Sequence, residues 1–472
     1  METRFASLTP ELIEKYSVPG PYYTSYPTGR QWTGDFGPED FRRGLKELLA
    51  RDPHVPLSLY LHIPFCKRRC RFCFCFAEVT RSREKMDEFL QVLFDEIRLL
   101  RGLFDELGAE PNVREIHFGG GSPSYLELDQ LRTLIEHLRP LGNVESLDEF
   151  TLETDAITVT SDKLLACRDL GINRLSFGIQ DFDEQVQRAI GRVQSPELIA
   201  SLMTPEVRRS FRSINFDLMY GLPLQTRGTF RETIAKVVDL SPARAAIYSY
   251  FHMPEMYPNQ GPIRSEDLPG TVEKALIFAD AAEAFVRNGY EFIGIDHFSR
   301  PTDDLTRAKR AGTLLRHFMG YTAGRTPHLI GLGPTSISGF GDCYAHNTYS
   351  MDEYRQAVHA GRLPLLRGYR MTGDDKIRWA VISRFLAYMS VEFGEIDERF
   401  GIDCRSYFAG ELAGLEPFVD DGLVERTDGG FRATDLGVLF ARHVCALFDR
   451  YAPVDGRAKK NQFVPAIQRS RC

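Results

Sequence analysis

Three cysteines crowded into the eight residues from Cys66 to Cys73 limit what this chain can become more than any other feature. Cys66, Cys70 and Cys73 are spaced C-x3-C-x2-C, and Cys75 follows two residues later. The run before them, residues 57–63, is mostly apolar and β-prone, and Pro64 closes it. The thiols are therefore predicted on a loop leaving the C-terminal end of a strand. Soft thiolates gathered this tightly select zinc, copper(I) or an iron–sulfur cluster. A structural zinc site normally takes four protein ligands from two separated pairs, and a cubane cluster usually takes four cysteines. Three ligands in one short loop would leave one iron of a 4Fe–4S cluster open to another group.

The rest of the composition sets the surroundings. A length of 472 residues allows two domains, or one large domain with an appendage. The net charge of −7 argues against a nucleic-acid surface. The N-terminus, METRFASLTPELIEKY, lacks the pattern of a signal peptide. No stretch reaches the roughly 18 apolar residues of a membrane span. Nine cysteines, four of them bunched, point to a reducing cytoplasm and not to a secreted disulfide framework.

Along the chain, the tyrosine- and proline-rich run at residues 21–32 reads as an extended arm with turn chemistry, not as a packed element. A short helix over 38–50 completes an N-terminal segment, residues 1–55. Strands are predicted at 57–63, 113–118, 149–153, 174–179, 213–220 and 245–251. Helical stretches separate them. One covers 82–100, with Met86, Phe89, Leu90, Leu93, Ile97 and Leu100 on a single face. This alternation predicts an α/β fold with a parallel sheet, either a partial (β/α)6 barrel or a curved doubly wound sheet, over 56–365. Catalytic groups then belong at the C-terminal strand ends. From 366 to 472 the pattern changes to helices at 374–388, 404–418 and 435–450 around a β-like segment at 422–434, whose Asp428-Gly429-Gly430 signals a hairpin. This is the pattern of a helical or winged-helix-like cap. Without a basic stripe it reads as a lid and not as a DNA-binding module.

Polar residues fall at the predicted strand ends. Gly119-Gly120-Gly121-Ser122-Pro123 ends the second strand, Glu153 the third, and Gln180 and Asp181 the fourth. Arg192 lies in the following helix and Asp217 within the fifth strand. Asp181 reads as a helix cap. The others, converging on one mouth, suit a polar ligand, with carboxylates for hydroxyl and ammonium groups and arginine for a carboxylate.

With Phe72 as its aromatic, the C-x3-C-x-aromatic-C spacing resembles the hallmark of the radical S-adenosylmethionine (SAM) enzymes. The resemblance implies a 4Fe–4S cluster on Cys66, Cys70 and Cys73, SAM on the open iron, and a 5′-deoxyadenosyl radical. Cys75 would be a non-ligand. YTSYPT, YLHIPFC, GGGSPSYL, IQDF, DLMYGLPLQT, IGIDHFSRP, GYT and GDCYAHN occur in the order of oxygen-independent coproporphyrinogen III dehydrogenase and its relatives. That family binds two SAM molecules. By this resemblance Tyr60, Gly120, Glu153 and Ile337 serve the cluster-bound SAM. Phe72, Gly121, Ser122, Gln180, Arg192, Asp217 and the backbone at Phe251 serve the second. Tyr60, Glu153, Phe318 and Met319 are the expected catalytic residues. A small-molecule substrate and an electron donor such as flavodoxin or ferredoxin are implied.

Some positions depart from the family pattern. Its Gly-Cys-Asn becomes Phe74-Cys75-Phe76, and its E-x-D-P becomes Glu153-Thr154-Asp155-Ala156. Its H-R-N-F-Q-G-Y becomes Leu315-Arg316-His317-Phe318-Met319-Gly320-Tyr321, and its S-R-V-I tail is replaced from Asn461 onward. Amides lost to Phe and Met are hydrogen-bond partners lost to a tetra-carboxylate, at about 1 kcal/mol each. The expected reaction is therefore methyl or methylene transfer from the second SAM to an sp2 carbon, giving methylation or cyclopropanation. A separate methyltransferase-like partner could complete the product. The alternative is oxidative decarboxylation of porphyrinogen propionates in haem biosynthesis. A third reading is a non-catalytic haem-binding or cluster-carrying protein.

Overall fold

A computed structural model describes residues 4–18 and 20–452. The six expected strands are all present: β1 (Pro56–Ile63), β2 (Asn112–Gly120), β3 (Glu149–Thr154), β4 (Arg174–Gln180), β5 (Ser213–Tyr220) and β6 (Arg244–Ser249). They pair in parallel, in chain order, at the centre of a twelve-stranded sheet. The other six strands are β7 (Glu291–Ile293), β8 (His297–Ser299), β9 (His328–Leu332), β10 (Ile337–Phe340), β11 (Cys343–Asn347) and β12 (Leu365–Arg370). The sheet order is β12-β11-β10-β9-β1-β2-β3-β4-β5-β6-β8-β7, with β9 parallel to β1 and the outer strands antiparallel. Side chains from β1 to β6, β8, β9 and β10 all line one cavity, so the sheet wraps around it as a partial barrel.

The parallel strands are buried on both faces, and their near-continuous apolar runs reflect that. The helix over Arg83–Glu106, with α1 assigned to Pro38–Arg51 and α2 to this one, is capped by Ser82, whose hydroxyl accepts from the Lys85 amide at 3.2 Å. Its buried Glu96 accepts from the Gly333 amide at 2.7 Å, the Asn347 amide group at 2.8 Å and the Tyr354 hydroxyl at 2.7 Å. One carboxylate thereby fastens the β9–β11 extension to the barrel. Burial pushes it up to about 7.

Three expectations need correction. The tyrosine-rich arm is packed. Tyr23 and Tyr26 are 1% and 0% exposed, in one core with Phe385, Val444 and Phe448. Tyr23 donates to Asp449 at 3.1 Å, and the Tyr26 hydroxyl accepts from the Arg450 amide at 3.0 Å. Trp32 stacks on Tyr344 at 5.3 Å. Tyrosine carries large apolar area with one polar tip, so a run that resembles a loop in sequence fills a core once each hydroxyl finds a partner. The predicted helix over 404–418 is three short pieces, Cys404–Tyr407, Ala409–Ala413 and Glu416–Asp420, in a stretch holding Gly410, Gly414 and Pro417. The helix over 435–450 is a 3-10 turn, Gly437–Phe440, followed by Ala441–Leu447. The hairpin forms as expected, from Val424–Arg426 and Gly430–Ala433. The replaced tail from Asn461 lies outside the described residues. Among the described residues no helix is long and apolar enough to cross a membrane.

Candidate active site

The thiol loop leaves β1 as expected, and the glycine run at the end of β2 lies directly against it. The Gly121 amide donates to Ile63 O at 2.9 Å, and the Ser122 amide to Phe65 O at 2.8 Å. A Cβ on Gly121 would stand 2.8 Å from the Phe65 carbonyl oxygen, and one on Gly120 (φ +110°) 2.7 Å from the His62 ring. Only glycine permits this approach. The Ser122 hydroxyl lies 3.8 Å from Cys66 Sγ, and Arg192 points a guanidinium NH at Cys70 Sγ at 3.6 Å. The same guanidinium donates to Asp155 at 3.0 Å and to Gly178 O at 3.1 Å.

Three residues that sequence reasoning missed hold the loop's shape. The Asn259 side-chain amide donates to the carbonyls of Cys70, Arg71 and Cys73 at 3.2, 3.0 and 3.0 Å. Gln260 donates to Phe72 O at 3.3 Å, and Arg69 to the carbonyls of Cys75 and Ala77 at 3.1 Å each. Asn259 lies 186 residues or more from these partners, and nothing in the spacing of the sequence announces it.

The thiols sit in unlike surroundings. Burial pushes Cys66 up to about 12. Hydrogen bonding from Cys75, with the Arg69 guanidinium nearby, brings Cys73 down to about 6. Each of the three expected ligands lies within electrostatic reach of the other two. Among the described residues no three metal-binding side chains converge as they would on a single ion. A cubane instead takes each thiolate on a different iron, so three cysteines of one loop need not converge on a common point. The donor set fits a three-cysteine cluster. Cys75 is turned back on Cys73, its amide 3.3 Å from that sulfur, in keeping with a non-ligand.

A cavity of about 750 Å³ opens beside the loop, within the range of about 300–1,000 Å³ usual for ligand pockets. Of the expected site residues, Tyr60, Gly120, Glu153, Asp217, Phe251, Phe318, Met319 and Ile337 line it. Phe72, Gly121, Ser122, Gln180 and Arg192 cluster instead around the thiol loop and the end of β4. Gln180 there takes a left-handed backbone, φ +66°. Glu153 accepts from the Gly120 amide at 3.1 Å and lies 2.9 Å from His117 Nε2. Asp217 accepts from the Ser176 hydroxyl at 2.7 Å and from Asn215 at 2.9 Å, and burial raises its pKa. Asp181 does not cap the helix: Asp183 does, while Asp181 is buried and accepts from Thr233 and Gln225 at 2.6 Å each.

Phe74, Phe76 and Met319 do line the cavity, as their apolar character suggested. The cations were missed. Arg30, Arg316 and Arg442 also line it. Arg316 is matched by Asp296 at 3.4 Å, whereas among the described residues neither Arg30 nor Arg442 makes an ion pair within 4 Å, although Asp449 acts on Arg30 from further away. The local motifs gave no sign of them, because Arg30 sits in the arm and Arg442 in the last helix.

Residues 60–237 match the Radical SAM superfamily, and residues 371–440 match the HemN C-terminal domain. The oxygen-independent coproporphyrinogen III oxidase of Escherichia coli is 39% identical over 456 residues, covering 97% of this chain and 98% of its own. That of Pseudomonas aeruginosa is 38% identical, covering 96% and 98%. The chain belongs to the oxygen-independent coproporphyrinogen III oxidase family. The solved coproporphyrinogen III oxidase (HemN) from Escherichia coli superposes with a TM-score of 0.84 over 91% of this chain and 97% of that one. As in that family, this is a radical SAM enzyme whose cofactors are a 4Fe–4S cluster and two SAM molecules. The family match lends nothing to the expectation of a methyltransferase relative. The relatives at this level of identity are named as oxidases.

Proposed function

We propose that the protein carries out oxidative decarboxylation of a porphyrinogen of the coproporphyrinogen III class. The observation that carries this reading is full-length kinship with oxidases of that name, joined to a cavity lined by Arg30 and Arg442, the first of which has only the carboxylate of Asp449 acting on it and no close ion pair. Buried carboxylates need such partners. In the reaction each propionate loses a hydrogen atom, one electron and carbon dioxide, and becomes a vinyl group. The electron leaves to an external one-electron acceptor. When bound, the cluster and SAM supply the hydrogen-abstracting radical. The chain's own residues place the reactants. Cys66, Cys70 and Cys73 would hold the cluster. Tyr60, Gly120, Glu153 and Ile337 would hold one SAM, and Phe72, Gly121, Ser122, Gln180, Arg192, Asp217 and the Phe251 backbone the other. Phe318, edge-on to both Trp32 and Tyr344, and Met319 would shape the substrate side. We read the chain as an arm (1–55), a barrel with its extension (56–365) and a cap (366–472), working in the cytoplasm with a donor such as flavodoxin or ferredoxin.

A second reading, methylene transfer from the second SAM to an sp2 carbon, is favoured by one observation. Phe74, Phe76 and Met319 stand in the cavity wall where amides would better suit carboxylates. One anaerobic experiment separates the two. With coproporphyrinogen III and SAM carrying a trideuterated methyl group, decarboxylation gives unlabelled 5′-deoxyadenosine and a vinyl product. Deuterium in 5′-deoxyadenosine together with S-adenosylhomocysteine would instead establish methylene transfer.

A further inference from the structure

We propose that the outer face of the thiol loop is a docking surface for a small acidic protein that delivers single electrons. The inference rests on the external donor of the proposed function and adds where that donor binds. Residues 67–81 carry five cations, Lys67, Arg68, Arg69, Arg71 and Arg81, against one carboxylate, Glu78, in a chain whose net charge is −7. Glu78 lies 3.7 Å from Lys85, outside the segment, and among the described residues none of the five makes an ion pair within 4 Å. Arg83, two residues on, is by contrast matched by Asp129. Arg69 turns in to hold the loop's carbonyls. Lys67, Arg71 and Arg81 are exposed.

These cations form one continuous strip. Cys66 pairs in parallel with Val79, so Lys67 and Arg81 leave neighbouring short strands in the same direction. Arg68 donates to Val193 O at 3.4 Å and Arg71 to Ala189 O at 3.0 Å, which carries the strip onto residues 189–193. Val79 and Val193, both on this strip, are each 49% exposed, more than any other large apolar side chain among the described residues. Valines among unpaired cations offer a partner apolar contact as well as charge. The loop's other face belongs to the cavity: Phe74, Cys75 and Phe76 line it, and none of the five cations does. Lys67, Arg68 and Arg71 stand between the expected cluster ligands in the chain. A protein seated on the strip is therefore separated from the cluster by the loop alone, and it leaves the cavity to SAM and substrate. On a molecule of net negative charge, a local basic strip attracts an acidic partner while the rest of the surface turns it away, which orients the encounter. The reduced carrier gives one electron to the cluster and departs oxidised by one electron.

The test measures flavodoxin binding to the reconstituted holoenzyme by anaerobic calorimetry, at low and at high salt. Lys67→Glu, Arg71→Glu and Arg81→Glu should each weaken binding about tenfold at low salt, and added salt should shrink the difference. Lys236→Glu, an equal charge change at an exposed position of the helix over Arg227–Leu240, should leave the affinity unchanged. The rate of cluster reduction by flavodoxin should fall with the affinity, whereas reduction by methyl viologen, a small cationic reductant, should not fall. Equal affinity in all variants, with wild-type protein that binds, overturns the docking surface and leaves the donor reading standing. An altered cluster potential at unaltered affinity also overturns it, because the cations then act on the cluster itself. Lost binding to phosphatidylglycerol vesicles with flavodoxin binding intact overturns it in favour of a membrane surface. If the wild type binds neither flavodoxin nor ferredoxin, the donor reading falls and the docking surface with it. Should Arg71→Glu fail to melt cooperatively, Lys67→Glu and Arg81→Glu decide.

Discussion

On one side of the cavity, the thiol loop draws its three expected ligands from eight consecutive residues and is held by hydrogen bonds to its own carbonyls. On the other, the rim joins the N-terminal arm to the last helix, and its Tyr23–Asp449 hydrogen bond spans 426 residues of chain. The loop side is fixed by backbone: glycines against carbonyls, amides on carbonyl oxygens. The rim is fixed by side-chain burial, with tyrosines whose hydroxyls happen to meet distant partners. Chemistry that needs exact placement of electrons and hydrogen is gathered on the first side. The cations Arg30 and Arg442, to which the proposed function gives the substrate's charge, are gathered on the second.

The largest effects that would sharpen this contrast concern the thiols. Cys66→Ala, Cys70→Ala and Cys73→Ala should each abolish the cluster, whereas Cys75→Ala should keep it, as judged by iron content and Mössbauer spectra after anaerobic reconstitution. Loss of the cluster in Cys75→Ala as complete as in Cys66→Ala would refute the ligand assignment. Next in size, Asn259→Ala removes three ties from the loop and leaves the rim untouched. Cluster occupancy should fall severalfold while porphyrin binding by the rim persists. A proportional fall in both would erase the distinction between the two sides.

Glu96 tests how the two sides are joined, since it fastens the β9–β11 extension to the barrel. Its carboxyl sits at about 7 in the folded protein against 4.5 for a free glutamate. The folded state then holds the proton more tightly, so the contribution is fully present below pH 4.5 and is lost as pH rises through 7. It amounts to up to about 3 kcal/mol. Glu96→Gln should flatten the fall in stability between pH 5 and 7 measured by denaturant titration. An unchanged slope would show that another group is responsible. The smallest effect belongs to Tyr23→Phe, which leaves the ring in its core and removes only the bond to Asp449. Stability should fall by about 1 kcal/mol, with cluster content unaltered.

The sequence made the loop side legible because its information is local. A strand, a thiol spacing and a glycine run each imply chemistry within a few residues, and the six central strands, β1 to β6, were visible in the alternation of patterns. Six outer strands, β7 to β12, went unread: most are short, β9 and β10 carry or border Gly331, Gly333, Gly339 and Gly341, and all are stabilised by pairing that no local signal records. The arm was misread because prolines and tyrosines look like turn chemistry until their burial partners are known. The same blindness led to too apolar a view of the cavity. Phe74, Phe76 and Met319 were visible beside known motifs, while Arg30 and Arg442 reach the cavity from elements far away in the chain.

The packed arm also sets an order of events during synthesis. Residues 21–32 leave the ribosome long before the partners of Tyr23 and Tyr26, which cannot be buried until Phe385, Val444 and Phe448 have been made. The thiol loop and the six parallel strands, complete by Ser249, can come together while the mouth of the barrel still stands open. The cavity therefore closes only once the Ala441–Leu447 helix has been made and can draw the tyrosine-rich arm across it.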